Sequence, residues 1–247
     1  MRLPKWHLVI ISVLLLGLAG IGRVDAFTPN SDEYMQDTLW RTPRTVEWQF
    51  LQGFPTGAAR TRTIDGFNSF NILNQPLKFS TSPGSDLAPA DVDFCSTTDP
   101  GPTTSYVEWT DHNFSLGTAQ VCTAITVDPL GGSFSAIDGF RIRLDSNLSY
   151  NWGQAYWWLS KDNIPPAPPT YQDLWSVMSH EVGHAAGMTT GGIDGDGHFD
   201  ENSNHVCPGE SSGEYLERET MCQTNLWQSR VHRNYDDHDR AVLLPAY

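Results

Sequence analysis

Alternating apolar and polar positions predict several strands and one helix in the first two thirds of the chain. Short runs rich in β-forming residues, each bounded by Gly, Pro, Asn or Asp, lie at residues 45–50, 77–80, 105–110, 120–126 and 139–144. Apolar residues at nearly helical spacing predict a helix over residues 58–73, although Gly66 lies in its middle. The order strand, helix, strands indicates a mixed fold with a sheet as its centre.

A second helical pattern follows the proline-rich segment 165–169. Thr170 precedes Asp173 by three residues, which is the spacing of a capping box, and it directly follows two prolines. Gly187 suits the left-handed residue that ends a helix. Between these limits an apolar stripe consists of Leu174, Val177, Met178 and Ala185. The pattern therefore predicts a helix that starts near Thr170 and ends at Gly187.

This second helix carries His180, Glu181 and His184. At about 100° per residue, the two histidines lie about 40° apart on one face and one turn from each other, so both imidazoles can bind one zinc ion. Glu181 is poorly placed as a third ligand but well placed to hold and deprotonate a water at the metal. The alternative is a solvent-exposed helix whose histidines share a face by chance. The capping residues and the apolar stripe favour the metal site.

With Gly187 three residues after His184, the sequence resembles the metzincin zinc peptidases, and most closely the matrixins, whose signature is H-E-x-x-H-x-x-G-x-x-H. The third histidine position holds Thr190 here. The resemblance implies an α+β, zincin-like fold: a twisted mixed β-sheet with an active-site helix, and a smaller, irregular C-terminal subdomain. It implies one catalytic domain over residues 27–247, with an upper subdomain at 27–187 and a lower one at 188–247.

Zinc in a catalytic site needs a third protein ligand and an open position for water. We expect His198 to be this ligand, returned to the metal by an inserted glycine-rich loop. Other candidates remain open, namely His205, Asp194, Asp196 and the glutamates Glu210, Glu214 and Glu217. The oxygen-rich run Asp194, Asp196, Asp200 and Glu201 also makes a Ca²⁺ site possible, the alternative being a solvated loop.

Met221 follows this loop and resembles the methionine turn of the matrixins, although a lone methionine is more often a core residue. All four cysteines lie after residue 90. An even number in an exported chain favours two disulfides, since no C-x-x-C spacing suggests a cysteine-bound zinc. Three pairings are possible, and the shortest loops favour Cys95 with Cys122 and Cys207 with Cys222.

Residues 1–26 have the pattern of a secretory signal peptide: basic residues, an apolar core and a small-residue cleavage site at Ala26. A membrane anchor is the alternative, but the apolar run is short and interrupted by glycines. The net charge of −14 argues against binding to nucleic acid or anionic membranes. We therefore expect a secreted, monomeric protein without stable membrane insertion.

Two further segments flank the predicted site. The aromatic run 150–158 is expected to pack in the core under the zinc helix, with a substrate groove as the alternative. By resemblance to the matrixins, residues 223–235 form a wall of the pocket for the residue after the scissile bond, and residues 235–244 form a closing helix.

The leading hypothesis is a secreted zinc endopeptidase that acts on proteins or peptides, with Glu181 taking a proton from the attacking water and passing it to the leaving amine. A catalytically inactive zinc-containing module is one alternative. A zinc hydrolase of non-protein amides is another, because it would use the same residues.

Overall fold

A six-stranded sheet and two helices make up most of the part of the chain that the computed structural model describes. The described residues are 39–40, 44–82, 84–95, 103–111, 116–127, 133–148, 156–163, 171–188 and 233–235. The strands are β1 Leu39–Trp40, β2 Arg44–Phe50, β3 Leu77–Thr81, β4 Tyr106–Thr110, β5 Gly117–Val127, β6 Ser133–Asp145, β7 Tyr156–Trp158 and β8 Tyr171–Asp173. The helices are α1 Ala58–Asn71 and α2 Leu174–Ala185. The fold is mixed, with a mostly parallel sheet, which is compatible with the predicted α+β class.

The sheet has the strand order β1-β6-β4-β2-β3, and β5 pairs with β6 in addition. Every pairing in this sheet is parallel except that of β5 with β6, which is antiparallel and contains a register shift between Cys122 and Thr123. Strands β7 and β8 form a separate parallel pair. All five predicted β-rich runs are strands, but β5 and β6 extend beyond the predicted limits and β1, β7 and β8 were not predicted.

Helix α1 packs on the sheet through aromatic side chains. Phe67 stacks on Trp48 of β2 with ring centroids 4.1 Å apart, and Phe70 meets Phe79 of β3 edge-on at 5.2 Å. All four side chains are buried. The predicted helix 58–73 is therefore confirmed, ending two residues early at Asn71.

The glycine in the middle of α1 lies where the two helices meet. A Cβ on Gly66 would stand 2.5 Å from Cβ of Met178 and 2.9 Å from the carbonyl carbon of the same residue. Any larger side chain would force the helices apart, because the obstructing atoms belong to or adjoin the backbone of α2. Gly66 thus lowers helix propensity but permits the close packing that fixes α2 against α1.

A disulfide joins Cys95 to Cys122, with Cα atoms 5.3 Å apart. This is the pairing expected from loop length, and it ties the segment before β4 to the middle of β5. The other two cysteines, Cys207 and Cys222, lie outside the described residues.

The described part of the aromatic run, Tyr156–Trp158, has two environments. Trp157 packs against the core and donates from Nε1 to the carbonyl of Asp145 at 2.8 Å. Tyr156 is 54% exposed, and the indole of Trp158 hydrogen-bonds to the carbonyl of Asn163 near the surface. Trp157 thus packs against the core as expected, partly buried, whereas the core position expected for Tyr156 is wrong, because alternate residues of a strand face opposite sides.

Several predictions concern residues outside the described ranges, namely the signal peptide 1–26, most of the segment 188–247 and Thr170. Of the expected closing helix only Tyr235 is described, and it is not helical. None of the helices in the described ranges combines the length and the apolar character needed to cross a membrane.

Candidate metal centre

The two histidines of α2 converge on one point. His180 Nε2 and His184 Nε2 are 3.2 Å apart, and the rings lie nearly perpendicular at 86°. Two nitrogens bound to one tetrahedral zinc at about 2.0–2.1 Å would be separated by about 3.3 Å. The spacing of the pair therefore fits two ligands of a single zinc ion.

The turn after α2 orients the second histidine. His184 Nδ1 lies 3.0 Å from the carbonyl oxygen of Met188, and because a carbonyl only accepts, Nδ1 is the protonated nitrogen. The neutral ring then carries its lone pair on Nε2, the nitrogen that faces His180. Burial lowers the pKa of His184, with the bond to Met188 opposing this effect, so the ring is held in the neutral form that binds metals.

Gly187 makes that turn possible. Its φ is +99°, the left-handed region that favours glycine, and its N–H donates to the carbonyl of His184 at 2.9 Å. Met188 N–H then donates to the carbonyl of Gly183 at 3.0 Å. The prediction that Gly187 ends the helix is confirmed. The contact of the Met188 carbonyl with His184 was not predicted, although a glycine three residues after a histidine near a helix end is a signal for it.

Glu181 is enclosed between α2 and strand β5. The residue is 5% exposed, and burial raises the pKa of its carboxyl group to about 8, while a hydrogen bond from the backbone N–H of Ala119 opposes the increase. Oε2 has no hydrogen-bond partner among the described residues. A buried oxygen without a hydrogen bond costs about 1–3 kcal/mol of folding free energy. A cation near Glu181 would favour the ionised form of its carboxyl group. The side chain is suited to exchange protons with a bound molecule.

The N-terminus of α2 begins later than the sequence predicts. The helix starts at Leu174 and Asp173 is its N-cap, with Oδ2 accepting from Ser176 N at 3.0 Å and from Ser176 Oγ at 2.7 Å. The capping-box prediction is wrong, because Tyr171–Asp173 pairs with β7 as a short strand. Asp173 alone therefore caps the helix, in place of the predicted capping box of Thr170 and Asp173.

Residues 233–235 hydrogen-bond to the same helix, although they lie far beyond it in the sequence. Tyr235 donates from its hydroxyl to the carbonyl of Ser179 at 2.5 Å, directly before His180. The carbonyl of Arg233 accepts from Ser179 Oγ at 3.0 Å and from Ser69 Oγ of α1 at 2.5 Å. These bonds connect both helices to one short segment and fix the turn of α2 from which His180 projects.

The remaining predicted site residues lie outside the described ranges. These are His198, the alternative ligands His205, Asp194 and Asp196, the acidic run proposed for Ca²⁺, and Met221. Within the described part of the chain, no three His, Cys, Asp or Glu residues come together as a metal-binding group. Of the predicted site residues, the structure brings His180 and His184 together, while the side chain of Glu181, the next residue after His180, packs against Gly117 of β5.

No protein-family model matches this chain, and no curated protein and no solved structure matches it either.

Proposed function

We propose that this chain is a secreted, zinc-dependent endopeptidase with a zincin-like, matrixin-related architecture, in which His180 and His184 bind the metal and Glu181 is the general base. The observation that carries the proposal is the 3.2 Å separation of the two histidine Nε2 atoms beside a buried carboxylate whose Oε2 has no partner among the described residues. A purely structural zinc site has no need of that carboxylate.

Each of these residues has a separate role in the proposed amide hydrolysis. Zinc bound by the histidines would polarise the scissile carbonyl and lower the pKa of water. Glu181 takes a proton from the water whose oxygen bonds to the carbonyl carbon. The same carboxyl group then gives this proton to the leaving nitrogen as the C–N bond breaks. The Met188 carbonyl keeps His184 in the tautomer whose lone pair on Nε2 faces His180, where the two rings would hold the metal.

The position of β5 supports a polypeptide substrate. This strand lies next to α2 and, among the described strands, pairs with β6 alone. An extended peptide can add to the edge of a sheet through main-chain hydrogen bonds. A small amide would gain no advantage from such an edge.

The proposal is tested with the mature secreted chain, metal analysis, and a broad peptide library or casein. We expect zinc to be bound and cleavage to be abolished by a chelator. Glu181→Gln should retain zinc and lose about 10²- to 10⁴-fold in turnover, because the general base is removed. Glu47→Gln is the matched control, since Glu47 is exposed on β2 and accepts a hydrogen bond from Ser82 Oγ.

Three results would contradict the proposal. Equal cleavage by wild type and Glu181→Gln would exclude Glu181 as the base. Bound zinc without any hydrolysis would favour an inactive module. Hydrolysis of simple N-acyl amides with no cleavage of peptides would assign the site to a non-protein amide.

A further inference from the structure

The first residues of β5 enclose the side chain of Glu181. A Cβ on Gly117 would stand 2.8 Å from Glu181 Oε1, 3.0 Å from Cγ and 3.1 Å from Cδ. Two residues further along the strand, the backbone N–H of Ala119 donates to the same carboxylate. Both the space at Gly117 and the backbone N–H of Ala119 therefore face the carboxylate of Glu181 on α2.

Space, and not backbone conformation, requires glycine at this position. The φ of Gly117 is not in the left-handed region, so alanine can adopt the same backbone. Contacts below 3.0 Å are too short for a real Cβ. The nearest atoms are the end and middle of one side chain, whereas at Gly66 the obstructing atoms are Cβ and backbone. A methyl group on residue 117 would therefore displace the Glu181 carboxylate and leave the two elements in place.

We propose that Gly117 is a positioning residue for Glu181, an inference that rests on the proposed function. The missing side chain leaves the space that the carboxylate occupies, and the N–H of Ala119 fixes the orientation of the carboxylate within this space. The strand next to the metal helix thus sets the position from which Glu181 exchanges protons with the attacking water. The amino acid at position 117 acts on the rate through Glu181 and has no contact of its own with the reacting atoms.

The first experiment compares Gly117→Ala with Thr118→Ala in the zinc-loaded mature chain. Thr118 is the next residue of β5 and faces the other side of the strand. We expect Gly117→Ala to bind one zinc as wild type does and to lose about 10- to 100-fold in kcat with little change in KM, because a misplacement of about 1 Å costs this much. Thr118→Ala should remain close to wild type. A wild-type kcat in Gly117→Ala, with zinc bound, would overturn the proposal.

The second experiment does not depend on activity. The melting temperature is measured for wild type, Gly117→Ala, Glu181→Ala and the double variant, all loaded with zinc. Because the added methyl group meets Glu181, Gly117→Ala should lower the melting temperature by about 2–4 °C in the wild-type background and by much less in the Glu181→Ala background.

The two experiments distinguish a failure of the Gly117 proposal from a failure of the proposed function. Equal shifts in both backgrounds, or no shift in either, would show that residue 117 does not act through Glu181. A wild-type chain that cleaves no substrate would refute the proposed function, while the melting temperatures would still decide whether Gly117 positions Glu181.

Discussion

Arg233 and Asp173 form a bidentate ion pair across 60 residues of sequence, with Nε 3.0 Å from Oδ2 and Nη2 2.7 Å from Oδ1. The side chains are only 13% and 4% exposed. The guanidinium also lies over the ring of Trp175 at 5.1 Å and donates to the carbonyl of Ser160 at 2.9 Å. Because Asp173 is the N-cap of α2, this pair fixes the start of the helix that carries both histidines.

Replacing Arg233 by alanine should therefore destabilise the fold strongly. The carboxylate of Asp173 would remain buried without its cation, which typically costs about 3–5 kcal/mol. Urea unfolding followed by tryptophan fluorescence gives the free energy of unfolding. Arg44→Ala is the control, because Arg44 is 34% exposed and 3.9 Å from Asp138, a pair expected to contribute less than about 1 kcal/mol. Equal losses in both variants would contradict a special role for the buried pair.

Gly187→Ala should weaken zinc binding. Forcing alanine into the left-handed region costs about 1–2 kcal/mol and shifts the Met188 carbonyl away from His184. Loss of such an orienting group typically lowers metal affinity about 10- to 100-fold. The measurement is a zinc dissociation constant from competition with a chelating dye.

Gly53 provides the matched control for this substitution. Its φ is +96°, nearly that of Gly187, and no atom lies within 4 Å of an added Cβ. Gly53→Ala should lose similar stability and keep the wild-type zinc affinity. If both variants bound zinc equally well, the Met188 carbonyl would not be needed to orient the ligand.

The sequence was most informative where the signal is local. The spacing of His180 and His184 places them one turn apart on any helix, and the β-rich runs identify strands because alternation reflects one buried face. Gly187 predicts the end of α2, because few residues other than glycine adopt its left-handed backbone conformation.

The remaining features depend on tertiary contacts that a single sequence does not encode locally. The start of α2 was predicted at Thr170, yet Asp173 caps the helix and is held by Arg233, 60 residues away. The sequence alone assigns no role to Gly117, because its contact with Glu181 exists only after β5 has packed on α2. Backbone groups such as Ala119 N–H carry no sequence signal at all.

The second disulfide should join Cys207 to Cys222. With Cys95 bonded to Cys122, these are the two remaining cysteines of the four in the chain. A bridge that closes a loop of about 15 residues stabilises a fold by about 3 kcal/mol. Peptide mapping without reduction should recover a fragment that links residues 207 and 222. Recovery of Cys122 linked to Cys207 would contradict both pairings.

We predict that His198 is the third zinc ligand. The chain leaves α2 through Gly187, and the Met188 carbonyl lies 3.0 Å from His184 Nδ1, so the last described residue of this segment is in contact with a proposed ligand. Nine residues lie between Met188 and His198, enough for the chain to turn outward and return, since each residue spans at most about 3.5 Å. His198→Ala should therefore lose most of the bound zinc, whereas His205→Ala should keep about one zinc per chain by elemental analysis. The opposite result, full zinc in His198→Ala and loss in His205→Ala, would assign the ligand to His205, whose position next to Cys207 would then make zinc binding depend on the second disulfide.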